Sequence, residues 1–137
     1  MDTQPDVSWA LRLGLAGYVR AVAVAADIPH DGTGFEISDT ATAYLGLAGR
    51  WAEHPGHDLM LVWNERHGWS VAVETDPAEQ PVVLAHLGGT DPVPDPQVVA
   101  RFVADVVAGR WSERARPEFP AAENRGELSR RLGRYAT

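Results

Sequence analysis

His54, His57 and Asp58 form the densest cluster of metal-capable side chains in the sequence, with His67 and His86 further along. Neutral imidazoles and carboxylates bind zinc, and a catalytic zinc commonly takes three protein ligands. His54 and His57, however, flank Pro55-Gly56, a turn signal. No helix holds them on one face, and no glutamate stands in metalloprotease spacing. A polar hairpin loop accounts for them, and neither a metal nor another cofactor is expected.

The second candidate is Glu65-Arg66-His67, flanked by Trp63 and Trp69. Exposed loops carry function disproportionately, and two indoles beside a guanidinium can build a stacking and cation–π platform. The competing reading is an ordinary charged turn with both indoles in the core, because Trp63 and Trp69 fall on the predicted core row. The third candidate is acid–base chemistry among Asp39, Glu74, His67 and His86, since a carboxylate inside a sheet can be tuned toward catalysis. A solvated residue on an open face is the plainer explanation. The five serines (Ser8, Ser38, Ser70, Ser112, Ser129) stand in no nucleophile elbow. Dinucleotide and Walker glycine motifs are missing. No catalytic residue is therefore assigned.

The elements that must position these groups follow from periodicity. Val7 to Ala26 reads as a helix, because Leu11, Leu15, Tyr18, Val19, Val22 and Ala26 recur at three- and four-residue spacing. Asp6 or Ser8 can cap it, and Pro29 and Gly32 end it. Gly14 and Gly17 each weaken it by roughly 1 kcal/mol relative to alanine, which points to close approach of another element. Between Gly34 and Ala48 the period changes to two. That stretch is either a short and a longer strand or one strand bent near Asp39.

Asp58 to Asn64 and Trp69 to Thr75 form the clearest element. A five-residue connection from Asn64 to Gly68 sets Trp63 opposite Trp69, Leu61 opposite Val71 and Leu59 opposite Val73. One residue more or less would put the two apolar rows on opposite faces. Gly68 supplies the left-handed residue of such a turn. Val82 to Leu87 is a further strand. Asp91 to Pro96 is a proline-rich crossover. Asp95 then caps a second helix with Pro96 in its first turn. Val98, Val99, Phe102, Val103, Val106 and Val107 make its apolar face, and Gly109 ends it. Beyond it, Ala121 to Tyr135 suits an amphipathic helix whose only strong apolar pair is Leu128 and Leu132, too thin a stripe to fold alone.

The expected fold is therefore α+β: helix, antiparallel meander of three to five strands, helix, and a basic C-terminal tail, with the helices on one face of the sheet. Residues 1–109 make one domain, and 110–137 a tail that is docked or partly disordered. The other sheet face stays open to solvent, a ligand or another subunit. Tyr44, Met60 and Val62 lie on it and join Trp63, Arg66, His67 and Trp69 as the expected ligand or partner contacts.

Composition narrows the classes further. The 137 residues suit one domain. There is no cysteine, which removes disulfides and thiolate chemistry. The first six residues do not resemble a signal peptide, and the stretch from Leu13 to Ala26 is too short to span a bilayer. A cytoplasmic protein is expected. All 12 basic residues are arginine, the codon signature of a GC-rich genome. The net charge of -7 argues against nucleic-acid binding, because phosphate neutralisation needs a basic surface. The charge is split, with seven arginines and four glutamates from Arg110 onward. A basic tail on an acidic body most simply folds back on it.

Several segments resemble a domain of unknown function from high-GC Gram-positive bacteria: Trp9-Ala10-Leu11 through Val22, Asp39 through Leu45, His57 through Trp63, Gly68 through Thr75, and Val99 through Ala104. The resemblance covers about residues 8–109 and implies no activity. The order of elements is also similar to secretion-chaperone-like domains, which implies binding, often as dimers. The expectation is a non-catalytic binding or regulatory module, with a homodimer through the open face or a protein partner. The alternatives are a small enzyme using a histidine–carboxylate pair such as His67 with Glu74, and a nucleic-acid accessory using the tail arginines.

Overall fold

The computed structural model describes residues 7–50, 58–73, 82–89, 91–111, 116–119 and 125–136. Helix α1 (Val7–Ala25) leads into five strands: β1 (Thr33–Ile37), β2 (Ala41–Arg50), β3 (Asp58–Asn64), β4 (Gly68–Val73) and β5 (Val82–His86). Helices α2 (Pro96–Val107) and α3 (Arg125–Leu132) follow. The strands pair in chain order as an antiparallel meander, so the fold is α+β as the periodicity implied. No helix among the described residues is long and apolar enough to cross a membrane.

The sheet register follows side-chain parity. Trp63 pairs with Trp69, Leu61 with Val71 and Leu59 with Val73, the arrangement that the turn length demanded. The pairing extends one step further to Asn64 and Gly68. Gly68 takes φ 72, a conformation that a side chain would strain. The stretch before β3 resolves into two strands rather than one bent strand, with Ser38, Asp39 and Thr40 as the bend between them.

On the inward face, Leu45, Leu61, Trp63, Trp69 and Val71 meet Leu11, Leu15, Tyr18 and Val22 of α1 and Val99 and Phe102 of α2 in one buried cluster. Burying each such side chain favours folding by about 1.5–3 kcal/mol. Three buried polar atoms tie the crossover to this core. The Tyr18 hydroxyl donates to the Pro94 carbonyl at 2.5 Å and accepts from Trp69 Nε1 at 3.1 Å. Trp63 Nε1 donates to the Pro92 carbonyl at 2.7 Å. Each indole N–H thus finds an acceptor, which full burial of tryptophan requires.

Two helix ends show how local signals perform. Asp95 caps α2 by accepting from the Gln97 N–H at 2.9 Å, and Gly109 ends it at φ 76. The C-terminus of α1 is closed instead by Asp27, which adopts φ 59 while the Ile28 N–H reaches back to the Ala23 carbonyl at 2.8 Å. Aspartate tolerates this left-handed position, so the stop precedes the expected Pro29 and Gly32. The apolar face of α2 is narrower than expected. Val99, Phe102 and Val103 are buried, whereas Val98 and Val107 are about half exposed.

The described part of the tail is built into the core. Leu128 and Leu132 of α3 are buried in the same cluster as Leu11 and Leu15. The close approach signalled by Gly14 and Gly17 is made by this tail. A Cβ at Gly14 would sit 2.8 Å from the Leu132 backbone, and one at Gly17 would overlap the Tyr135 carbonyl. The Tyr135 ring packs at a tilt against Tyr18, with centroids 4.9 Å apart.

Candidate functional site

The outward face of the sheet is arranged in rows by the strand register. One row crosses all five strands as Gly34, Tyr44, Val62, Ser70 and His86. A second runs Gly46, Met60, Ala72 and Val83. The side chains alternate because successive strand residues point to opposite faces, and the inward set is occupied by the helices. Tyr44 is 56% exposed and Val83 is half exposed. Tyr44 lies over Gly34, where a Cβ would come within 2.6 Å of its hydroxyl.

Across β3, β4 and β5 these rows floor a groove of about 250 Å3. Met60, Ala72 and Val83 form its apolar end. Val62, Ser70 and His86 form the middle. Asn64, His67 and Gly68 at the β3–β4 turn, together with Arg116, close the other end. The groove is thus graded from apolar to polar along the strands. The Asn64 carboxamide oxygen accepts from the Arg66 and His67 N–H groups at 2.9 and 2.8 Å, a local side-chain bond typical of asparagine at a turn.

A tail segment, residues 116–119, makes the polar end. His67 Nδ1 lies 2.9 Å from the Pro117 carbonyl, which can only accept, so Nδ1 carries the proton. The Phe119 N–H donates to the Arg66 carbonyl at 2.7 Å, and its ring covers Gly68. Glu118 approaches His67 Nδ1 at 3.7 Å and Arg116 at 3.6 Å from the solvent side.

The expected contact residues divide accordingly. Tyr44, Met60, Val62 and His67 lie on or beside the open face. Arg66 is exposed at the turn but does not line the groove. Trp63 and Trp69 are 0% and 1% exposed and lie in the core, 6.4 Å apart. They offer no contact surface, because their odd-numbered parity sends them to the helix side. Glu65, read as an exposed turn charge, is fully buried. It accepts from the Ala41 N–H at 2.7 Å and from Arg125 at 2.6 and 3.2 Å. Asp39 contributes its backbone carbonyl to the same arginine at 3.1 Å.

The other candidates are not brought together among the described residues. His54, His57 and Glu74 lie outside the described residues, and so does the loop from Trp51 to His57. Among the described residues no three histidine or carboxylate groups are placed to hold a metal ion. Among the described residues, His67 meets the tail carboxylate of Glu118. Tail arginines face acids: Arg125 meets Glu65, Arg131 meets Asp91 at 2.7 Å, and Arg130 meets Glu127 at 2.7 Å. The bond to Glu127, with Asp91 beside it, raises the pKa of Arg131. A second depression, of about 430 Å3, lies between α1 and α2 at Arg20, Val24 and Asp95, but the Asp95 carboxylate there is spent on its cap.

Sequence reasoning placed Met60 and Val62 on the groove but missed Val83, Ser70 and Arg116. Ser70 was accessible in principle from its alternation with Trp69 and Val71, whereas Val83 meets Ala72 only through a register shift between β4 and β5. Arg116 was not accessible, because nothing local announces a tail segment crossing back to the turn.

The geometry defines a class: an α+β domain whose meander is packed by helices on one face and leaves a graded groove on the other. The chain belongs to a family of unknown function, DUF6292, whose pattern matches residues 18–105. Comparison with curated proteins and with solved structures finds no match. The match starts inside α1 and stops inside α2, so Gly14, Gly17 and all of α3 lie beyond it.

Proposed function

We propose that this domain is a non-catalytic binding module that uses the open face of its sheet. The observation that carries this reading is the outward apolar set Tyr44, Met60, Val62 and Val83, over which no described element packs. The inward face is filled by three helices, so this asymmetry is built into the topology. A concave surface with an apolar floor and a few convergent polar groups is the usual form of a ligand site. A homodimer or a protein partner docking on the same rows is the second reading, favoured by a row that crosses all five strands.

The enzyme alternative needs His67 beside a strand carboxylate, and its described partners are the Pro117 carbonyl and Glu118 instead. The nucleic-acid alternative needs unengaged tail arginines, and Arg125 and Arg131 are engaged with the body. Arginine as the sole basic residue and the lack of cysteine support a bacterial, high-GC, cytoplasmic setting.

The test is a two-dimensional amide spectrum recorded while hexanol is titrated in, and again on dilution of the protein. Shifts confined to the outward rows of β2 to β5 support the reading. Shifts confined to the α1–α2 depression, or none in either experiment, overturn it.

A further inference from the structure

The groove's gradient identifies a ligand chemistry, an inference that rests on the open-face reading above. We propose that it binds a small monocarboxylate, with the carboxylate at Arg116, His67 and His86 and the apolar body over Met60, Ala72 and Val83.

Three observations converge on this class. First, charge: the protein carries -7 overall, yet among the described residues no aspartate or glutamate lines the groove, whereas one arginine and two histidines do. The guanidinium is permanently charged and forms paired bonds to carboxylates. Second, the chain's own Glu118 carboxylate already sits within 4 Å of both His67 and Arg116. At 3.7 and 3.6 Å, and with a side chain 70% exposed, it is held loosely and is readily displaced. This end of the groove therefore tolerates a carboxylate and leaves room for a better-placed one.

Third, dimensions: adjacent outward rows stand two residues apart along a strand, about 7 Å at the usual rise. A carboxylate over the middle row, beside His86, and a chain of about five carbons span the middle and apolar rows at that spacing. The volume of about 250 Å3 falls below the roughly 300–1,000 Å3 of drug-sized sites, so the ligand is small.

Hexanoate is the direct probe, with hexanol as its uncharged counterpart, in amide-shift titrations of the full chain. The expected result is saturable shifts at Ser70, Ala72, Val83 and His86, with hexanoate binding about tenfold more tightly than hexanol, as charge-assisted hydrogen bonds imply. Arg116→Gln should abolish that preference, and Glu118→Gln should tighten hexanoate several-fold. Both side chains are mostly exposed, and an unchanged melting temperature would verify that each variant folds. Equal binding of hexanoate and hexanol would overturn the carboxylate assignment while leaving the open-face reading intact. A preference that survives Arg116→Gln would also overturn it. Failure of both probes to shift the outward rows would remove the carboxylate assignment, and the open-face reading with it if dilution of the protein also shifts nothing.

Discussion

Arg125, the first residue of α3, grips Glu65 at the tip of the β3–β4 turn, with 2.6 Å between Nη2 and Oε1 and 3.2 Å between Nε and Oε2. The same guanidinium donates to the Ser38 and Asp39 carbonyls at 2.9 and 3.1 Å. One tail side chain thus joins the β1–β2 bend, the β3–β4 turn and α3. Glu65 is fully buried, and its remaining partner is the Ala41 N–H. Removing Arg125 would leave an uncompensated carboxylate inside the protein.

Arg125→Leu should therefore destabilise the fold by about 3 kcal/mol, the low end for breaking a buried ion pair because Arg125 keeps some contact with water. Pairing it with Glu65→Gln should restore part of the loss, since no buried charge then remains. Urea unfolding of the two single variants and the double variant measures this coupling directly. Additive losses would mean that the pair is not a unit.

Gly17→Ala separates two effects of opposite sign. Alanine favours an isolated helix by about 1 kcal/mol over glycine, but here the added methyl overlaps the Tyr135 carbonyl. The expected outcome is an intact α1 with α3 displaced. Amide exchange should then accelerate across Arg125–Leu132 while β3 and β4 stay protected. Unchanged protection of α3 would show that the helices accommodate the methyl group.

Tyr18 predicts an alkaline limit to stability. Burial raises its pKa far above the ordinary value near 10, and the Trp69 hydrogen bond offsets this only in part. Its contribution is full below pH 10 and is lost as pH rises, because the unfolded chain then releases a proton that the folded chain keeps. The slope is about 1.4 kcal/mol per pH unit. The chain has no lysine or cysteine to titrate in that range. Tyr18→Phe should flatten the slope between pH 10 and 12 while costing about 1–3 kcal/mol at neutral pH for the hydroxyl's lost partners. Denaturant unfolding at stepped pH checks both.

Parity on β3 gives a paired test. Leu61 is fully buried, and Leu61→Ala should cost about 2–5 kcal/mol. Met60→Ser, one residue away on the outward face, should change stability by less than about 1 kcal/mol, as surface substitutions do, while weakening any ligand held by the groove. Equal losses at the two positions would contradict the one-sided packing.

The sheet was legible because its information is local. The alternation of Leu59, Leu61 and Trp63, the length of the turn to Trp69 and the glycine at 68 together determine which face is buried and which strand residues pair. Asp95 and Pro96 announce α2 in the same way, since a cap is satisfied within one helical turn. The two indoles followed parity into the core, which removed them from the expected contact set.

Tertiary structure decided the remainder. Glu65 reads as a turn charge because its cationic partner lies 60 residues away, and no periodicity reports such a pairing. The glycines of α1 signalled a close neighbour, but only the packed structure identifies it as the tail around Leu132 and Tyr135. The groove follows the same division. Its floor of Met60, Val62 and Ala72 is local alternation, whereas Arg116 reaches its polar end because the tail crosses back to the turn through hydrogen bonds with Arg66 and His67. Local spacing determines the faces of strands and helices. Partner choice between distant segments depends on three-dimensional packing and on the burial of charge, which only the assembled fold expresses.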